Sequence, residues 1–542
     1  MLKTVTPKIV VGYLQCQRKG FLLLNDKERG IPHEIDEVAK FNLDRNRYEY
    51  RQSLKRDGNN LQGFTPKSFR LGLDLLVDAK LVANNLETYC DALSKNSNTE
   101  NHKVSYVPIL VLSWHSIQPE DKIALMFAAH VLTKVQGNSP KFGYLVTSGS
   151  IVQRVGLEKS RKTILKTLAA LQEWIESKRT EVPRVFLNKH CNSCQFRRLC
   201  KENAEKLDDL SLLDRMTPKA VSKYHTKGIF TVQQLSYLFR SRRPRKKRAA
   251  APIRFSSEFQ ALAIRTGKVL IHELPKLSRK IPEFFLDIEG IPDQKFFYLF
   301  GLLVIDGSGK RHYSYWADKQ ADEQVAWLEL IKKVSEFPGA PIYHYGHYDR
   351  RAVEQLQNRY SIDSLSISTR LVNVNSFVFG KVYFPVRSNG LKDLGKFLGV
   401  KWAEPDASGL QSLVWRHRWE KNRHDTYKDR LIAYNRDDCA ALAVLVENLA
   451  RIGLGGADQA NLDFTDKPNK DTTQIGTQIH NQFETILRSG YADYNKKKIT
   501  VRSSRLAGPV EKRKRGARPA APATGASLRA GRFRHPPEFP NW

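Results

Sequence analysis

The stretch FFLDIEG, residues 284–290, places two carboxylates two positions apart in an otherwise apolar run. Successive side chains of a strand alternate faces, so Asp287 and Glu289 point one way and Leu286 and Ile288 the other. Two ionised carboxylates held together in an apolar setting raise their pKa or destabilise the fold unless a cation or donors neutralise them. A divalent metal is the obvious partner, because hard cations such as Mg²⁺ or Mn²⁺ favour carboxylate oxygen. A third acid, Asp349 in YGHYDRRAVEQL, stands where a strand gives way to a helix, and strand ends are where sites are built. In DRLIAYNRDDCAALAVLVENLARI, Tyr434 and Asp438 are four apart and share a helix face, while Asp437 points elsewhere. Taken singly, each has an ordinary use: Asp349 as a helix cap, Tyr434 as packing.

The elements that must position these residues follow from the pattern. From residue 281 the order is a strand (EFFLDIEG), a second strand (FFYLFGLLVI), a DGSG turn and a third strand (RHYSYWA). A helix (DEQVAWLELIKKVSEF), a strand (APIYHYG) and a helix (DRRAVEQLQNRY) come next, which implies a three-stranded meander followed by αβα.

The set Asp287, Glu289, Asp349, Tyr434 and Asp438, in that order and in those elements, resembles the DEDDy branch of the RNase H-like 3′–5′ exonucleases. The segment SNGLKDLGKFLGVKW is similar to one in the YprB-like subgroup, and the likeness runs over roughly residues 281–450. It implies an α/β fold, an RNase H-like mixed sheet flanked by helices. It also implies two Mg²⁺ or Mn²⁺ ions, typically about 3.5–4 Å apart in such sites. By resemblance, Asp287 bridges both ions, Glu289 and Asp438 hold one, Asp349 acts on the other through water, and Tyr434 orients the attacking water.

Six cysteines in 542 residues are too few for a disulfide scaffold. Three of them, Cys191, Cys194 and Cys200, form a C-x2-C-x5-C group in HCNSCQFRRLC, and Cys16 lies far upstream. One remote thiol plus a trio gives four, the usual complement for an iron–sulfur cluster; a four-thiolate Zn²⁺ site fits the count, and so does a set of unliganded thiols. The layout resembles RecB-like and CRISPR-associated exonucleases that staple a PD-(D/E)xK fold with a [4Fe–4S] cluster. Cys90 and Cys439, in apolar surroundings, read as core.

That resemblance implies a PD-(D/E)xK-like α/β domain ahead of the RNase H-like one, with an Asp and an E-x-K pair on adjoining strands. Asp91 can occupy the acidic position, but residues 107–113 supply neither Glu nor Lys, and Asp74, Asp78 and Lys80 break the expected spacing. The expectation is a degenerate nuclease domain kept as scaffold or nucleic-acid support. Together the two halves resemble the RecB-like nuclease family over roughly residues 5–455. The expected divisions are 1–205, a helical segment and basic linker at 206–280, the RNase H-like domain at 281–455, and a basic tail at 456–542. Residues 210–236 look like a helix-hairpin-helix module whose glycine turn could offer amides to phosphate, and fit a plain helical connector equally well.

A formal net charge of +33, from 89 Lys and Arg against 56 Asp and Glu, predicts a polyanionic partner, nucleic acid first, and DNA ahead of RNA. No apolar run approaches the ~20 residues that span a bilayer, and the N-terminus lacks a signal-peptide pattern, so no membrane is expected and the reading is cytoplasmic. The run at 240–248, RSRRPRKKR, reads as a linker, and residues 512–537, without an acid, read as disordered. Relatives of this architecture often continue into a helicase, a further expected partner, although no G-x4-GK-[ST] loop is present. The competing class is a catalytically inactive nucleic-acid-binding adaptor on an iron–sulfur or zinc scaffold.

Overall fold

The computed structural model describes residues 3–25, 30–57, 61–96, 104–238, 255–277, 279–361, 365–454 and 462–464, together with residues 478, 479, 481, 482 and 485. The basic run 240–248 and the acid-free stretch 512–537 lie outside these. The chain forms two units, Met1–Thr472 and Thr473–Trp542.

The N-terminal part of the first unit begins with α1 (Pro7–Gln15), α2 (Gln17–Asn25) and α3 (Ile35–Arg56). The pattern of KIVVGYLQCQRKGFLLL predicts one helix, but the backbone turns extended at Cys16, with φ −165° and ψ 117°, and splits it. Two helices then fold back on each other; a Cβ at Gly20 would lie 2.6 Å from Tyr13 Cα, so glycine permits the crossing.

Next come β1 (Gln62–Gly63), α4 (Pro66–Leu71), β2 (Leu75–Ala83), β3 (Leu86–Lys95), β4 (Tyr106–Val111), α5 (Pro119–Gln136), β5 (Phe142–Thr147), β6 (Ile151–Gly156) and α6 (Glu158–Glu176). The six strands form one sheet in chain order, with β1–β2 and β4–β5 parallel and the other pairs antiparallel. Helix α5 starts at Pro119, where Gln118 N donates to Asp121 Oδ2 at 2.8 Å, and stops at Gly137 with φ +76°. Between those signals it buries Leu125, Phe127, Ala128, Val131 and Leu132.

A helical stretch follows: α7 (Arg197–Lys206), α8 (Pro218–His225), α9 (Val232–Ser236) and α10 (Ser257–Thr266). The turn after α8 has Gly228 at φ +76°, as a helix-hairpin-helix reading expects. Its amides are already committed, however. Lys227 and Ile229 donate to Tyr224, Gly228 donates to His225, and Val232 and Gln233 donate to Asp208, which leaves this turn without those donors for phosphate.

The C-terminal elements are β7 (Val269–Ile271), β8 (Glu283–Ile291), β9 (Phe296–Asp306), β10 (Gly309–Trp316), α11 (Glu323–Ser335), β11 (Ile342–His344), α12 (Tyr348–Tyr360) and α13 (Leu365–Ser368). They continue as β12 (Leu371–Asn373), α14 (Asn375–Val378), β13 (Val382–Tyr383), α15 (Leu391–Phe397), α16 (Gly409–Asn422), α17 (Asp425–Gly453) and β14 (Leu462–Phe464). Five strands make a mixed sheet in the order β10-β9-β8-β11-β12: an antiparallel meander, then two parallel additions. This is a mixed α/β fold, with helices against both large sheets. Strand β9, buried at every position but the last, is apolar without alternation because both its faces are covered. A small sheet, β13-β7-β14, joins residues 269–271, 382–383 and 462–464, and so crosses the divisions expected at 280 and 455.

Candidate active site

Strand β8 supplies Asp287 and Glu289, both half-buried, while Phe284, Phe285, Leu286 and Ile288 are buried around them. Helix α17 supplies Tyr434 and Asp438, 9 % and 8 % exposed, one turn apart on its sheet-facing side. Ligand oxygens of Asp287, Glu289 and Asp438 lie within 4.8 Å of one another, the only such group of acids, cysteines or histidines among the described residues. Asp349 sits outside this triad but beside it: at the start of α12 its Oδ1 accepts from the Ile288 amide, between the two strand acids, at 3.1 Å. Tyr434 hydrogen-bonds Asp438. Asp437 turns away and accepts from Ala403 N at 2.7 Å.

Burial pushes the carboxyls of Asp287, Glu289, Asp349 and Asp438 above the usual carboxylate range, and the charge of Asp438 raises the first three further. Burial, then the charge of Asp438, raises the Tyr434 phenol. Such a set binds protons when it lacks a cation and releases them when a cation arrives, and its hard oxygen donors fit Mg²⁺ or Mn²⁺.

Three residues that sequence reasoning did not single out hold the acids. Asn435 Nδ2 donates to Asp287 at both its main-chain oxygen, 2.9 Å, and its Oδ2, 2.6 Å. Ser412 Oγ on α16 donates to Glu289 Oε2 at 2.9 Å, and Trp402 Nε1 donates to Asp438 Oδ1 at 2.7 Å. Only Asn435, adjacent to Tyr434, carried any local signal. His344, fully buried at the end of β11, has its Nδ1 4.0 Å from Asp349 Oδ2.

The cysteines separate as expected in one respect: Cys90 and Cys439 are fully buried. Cys16, Cys191, Cys194 and Cys200 line a single small cavity, walled also by Arg18, Lys19, Phe186 and Phe196. No three of these four sulfurs lie within 4.8 Å of one another. The break at Cys16 brings the remote thiol to the trio, and the Asn188 amide donates to Cys191 Sγ at 3.3 Å.

Among the described residues, the N-terminal acids form no comparable group. Asp91 is buried on β3, where Arg47 Nε donates to Oδ1 at 2.6 Å and the Val111 amide to Oδ2 at 2.7 Å. Asp78 is engaged by Arg51 and Tyr89, Lys80 pairs with Glu87 at 3.0 Å, and Asp74 with Lys95 at 3.6 Å.

Among the described residues, no helix is long and apolar enough to cross a membrane. No curated protein matches the chain. Residues 284–450, which contain the five-stranded sheet and all five site residues, match RNase_H_2, a family model of the RNase H superfamily. The C-terminal part of the chain is therefore similar to RNase H-like domains, and its acidic triad suits metal-dependent, nuclease-type chemistry on nucleic acid.

Proposed function

We propose that the chain is a metal-dependent 3′–5′ exonuclease acting in nucleic-acid repair, processing or defence. The observation that carries the reading is the convergence of Asp287, Glu289 and Asp438, with Asp349 and Tyr434 beside them, on an RNase H-like sheet. In this reading Asp287, Glu289, Asp349 and Asp438 hold Mg²⁺ or Mn²⁺. Two such ions, when bound, supply an activated water and stabilise the leaving oxygen. The chain's own residues do the rest: Asn435, Ser412 and Trp402 fix the carboxylate rotamers, and the Tyr434 hydroxyl, kept protonated by burial and donating to Asp438, would orient the attacking water through its acceptor lone pair.

The N-terminal domain is read as a degenerate PD-(D/E)xK-like fold that serves as scaffold. The order α3-β2-β3-β4-α5-β5 supports this, as does Asp91, whose oxygens are occupied by Arg47 and the Val111 amide. The four-thiol cavity is read as a [4Fe–4S] site. Four thiols on one cavity are the usual complement of such a cluster, and a tetrahedral Zn²⁺ site is the alternative reading.

The test is shortening of 3′- and 5′-end-labelled DNA and RNA, single- and double-stranded, in Mn²⁺ or EDTA, by wild type and Asp287→Ala. Shortening from the 3′ end that needs metal and vanishes in Asp287→Ala supports the reading. Cleavage that survives the substitution returns activity to the N-terminal domain. Binding without cleavage supports an adaptor.

A further inference from the structure

A second cleft, separate from the acidic triad, opens where three segments meet: the cysteine-bearing turn and α7, the residues leading into α8, and the 385–397 segment of the RNase H-like domain. Its volume is about 1240 Å³, beyond the roughly 300–1,000 Å³ of pockets that take small molecules. Its wall is cationic. Lys189, Arg197 and Lys201 come from one side and Lys396 from the other; all four are exposed, and none makes an ion pair among the described residues. Arg215 and Arg387 also line it, the first with its guanidinium 4.3 Å from the Phe379 ring and the second paired with Glu205 at 2.6 Å. The acids on the wall are Asp214 and Asp393.

The cleft also presents an aromatic face, Phe397, 39 % exposed at the end of α15. Cations that follow a phosphate backbone together with an aromatic on which a base can stack form the chemistry of single-strand recognition. Helix α15 connects this wall to the carboxylates. Lys396 and Phe397 face the cleft, and Lys392 places its Nζ 5.8 Å from the Trp402 ring and 6.0 Å from the Tyr434 ring. Seven residues of helix span only about 10 Å, so a strand whose end lies at the carboxylates has its next nucleotides within reach of the cleft.

We infer that this cleft is the track for single-stranded nucleic acid leading to the acidic site, an assignment that rests on the nuclease reading for its direction but not for its existence. Duplex, whose bases are already stacked in pairs, offers Phe397 no free face and is not expected to use this track.

The experiment measures binding of a fluorescent oligothymidylate and an oligouridylate to the full chain by anisotropy, in EDTA so that nothing is cut, over a salt series. The variant Lys189→Gln/Arg197→Gln/Lys201→Gln/Lys396→Gln is compared with Lys159→Gln/Arg161→Gln/Lys162→Gln/Lys166→Gln, which removes the same charge from exposed positions on α6. Each lost phosphate contact on a single strand flattens the log K against log salt slope by roughly 0.7. The cleft variant is expected to lose about 3 in slope and bind at least roughly tenfold more weakly at low salt, while the α6 variant stays near wild type. Phe397→Ala weakens binding roughly fivefold or more with the slope unchanged, since stacking carries no counterion. The pair Lys201→Gln/Lys396→Gln, with an expected slope change of about 1.4, keeps the test readable should the fourfold variant fold poorly. An unchanged slope in the cleft variants, an equal loss in the α6 variant, or an equal loss on a duplex probe overturns the assignment. Cleavage is scored separately: if wild type with Mn²⁺ cuts nothing yet the slope falls as stated, the exonuclease reading fails and the track stands.

Discussion

Asn435 reaches two oxygens of Asp287 with one amide nitrogen, and it has room to do so because residue 301, across on β9, is glycine; a Cβ there would collide with Asn435 Oδ1. Supporting hydrogen bonds of this kind typically carry 10–100-fold in metal affinity or activity. Asn435→Ala is expected to lose activity within about that range, mainly as a higher Mn²⁺ concentration for half-maximal cleavage, which a metal titration of the rate reads directly. The carboxyls themselves predict a pH signature. Without metal, Asp438, Asp349 and Glu289 are raised to about 6, about 7 and about 8, against roughly 4 in an unfolded chain. Because the folded pKa is the higher one, the folded state keeps protons that the unfolded chain has released. That contribution is complete below about pH 4 and is lost as pH rises through the folded values. In EDTA the melting temperature is therefore expected to fall between pH 5 and pH 8. Mn²⁺ is expected to restore it by an increment that grows with pH. A flat profile in EDTA would mean that the acids are already ionised and compensated in the metal-free fold.

Helices α16 and α17 and the 398–408 connection carry the residues that hold the acids, and their packing explains which parts of the site sequence could disclose. Asp287 and Glu289 were legible because two-residue spacing on a strand needs no tertiary information, and Tyr434 with Asp438 because four-residue spacing on a helix needs none either. Ser412 and Trp402 were not, since each meets its acid only after α16 or the 398–408 connection has been laid against the sheet. The sheet β13-β7-β14 was missed for a related reason: strands of two or three residues, paired over more than a hundred positions, leave no periodicity. The close fit is visible at Gly395 on α15, where a Cβ would lie 2.5 Å from Trp402 Cη2 and 3.2 Å from Ala441 Cβ on α17. Gly395→Val is expected to destabilise by about 1–3 kcal/mol, the usual cost of overpacking, and to lower activity by displacing Trp402 from Asp438. Trp402→Phe is its counterpart: it removes the donor and keeps most of the ring, so activity should fall further than stability. Chemical denaturation monitored by circular dichroism, beside the cleavage rate, separates the two effects.

At the scale of the whole first unit, the N-terminal part touches the RNase H-like sheet through the residues that follow Glu289. Asp293, four positions on, accepts from the amides of His115 at 2.7 Å and Ser116 at 2.9 Å and from Ser116 Oγ at 2.5 Å. A second contact runs between α3 and α16, where Arg418 pairs with Glu34 at 3.2 Å and Glu37 at 3.5 Å, and Gln411 donates to Glu34 at 2.7 Å. Helix α16 is itself anchored by Arg416, fully buried among Tyr298, Trp316 and Trp419 and donating to Ala317 O and Asp318 O. The helix that orients Glu289 through Ser412 is thus the one that meets the N-terminal part, which gives a domain with no acidic cluster among its described residues a way to steady the site. Of the polar contacts, the one at Asp293 is the better shielded: its side chain is 17 % exposed, whereas the α3–α16 ion pairs face solvent, where such pairs contribute little, and those two helices are joined chiefly by buried Ile35, Val38 and Val414. Removing Asp293 leaves two amides and a hydroxyl short of an acceptor, at roughly 1–3 kcal/mol in all. Asp293→Ala is expected to turn a single calorimetric transition into a broader or double one, with the cleavage rate kept at low temperature and lost earlier on heating. If the variant melts as one unit at the wild-type temperature, the coupling must run through α3 and α16, and Val414→Ala, which opens the apolar contact with Ile35 and Val38, becomes the substitution that divides the transition.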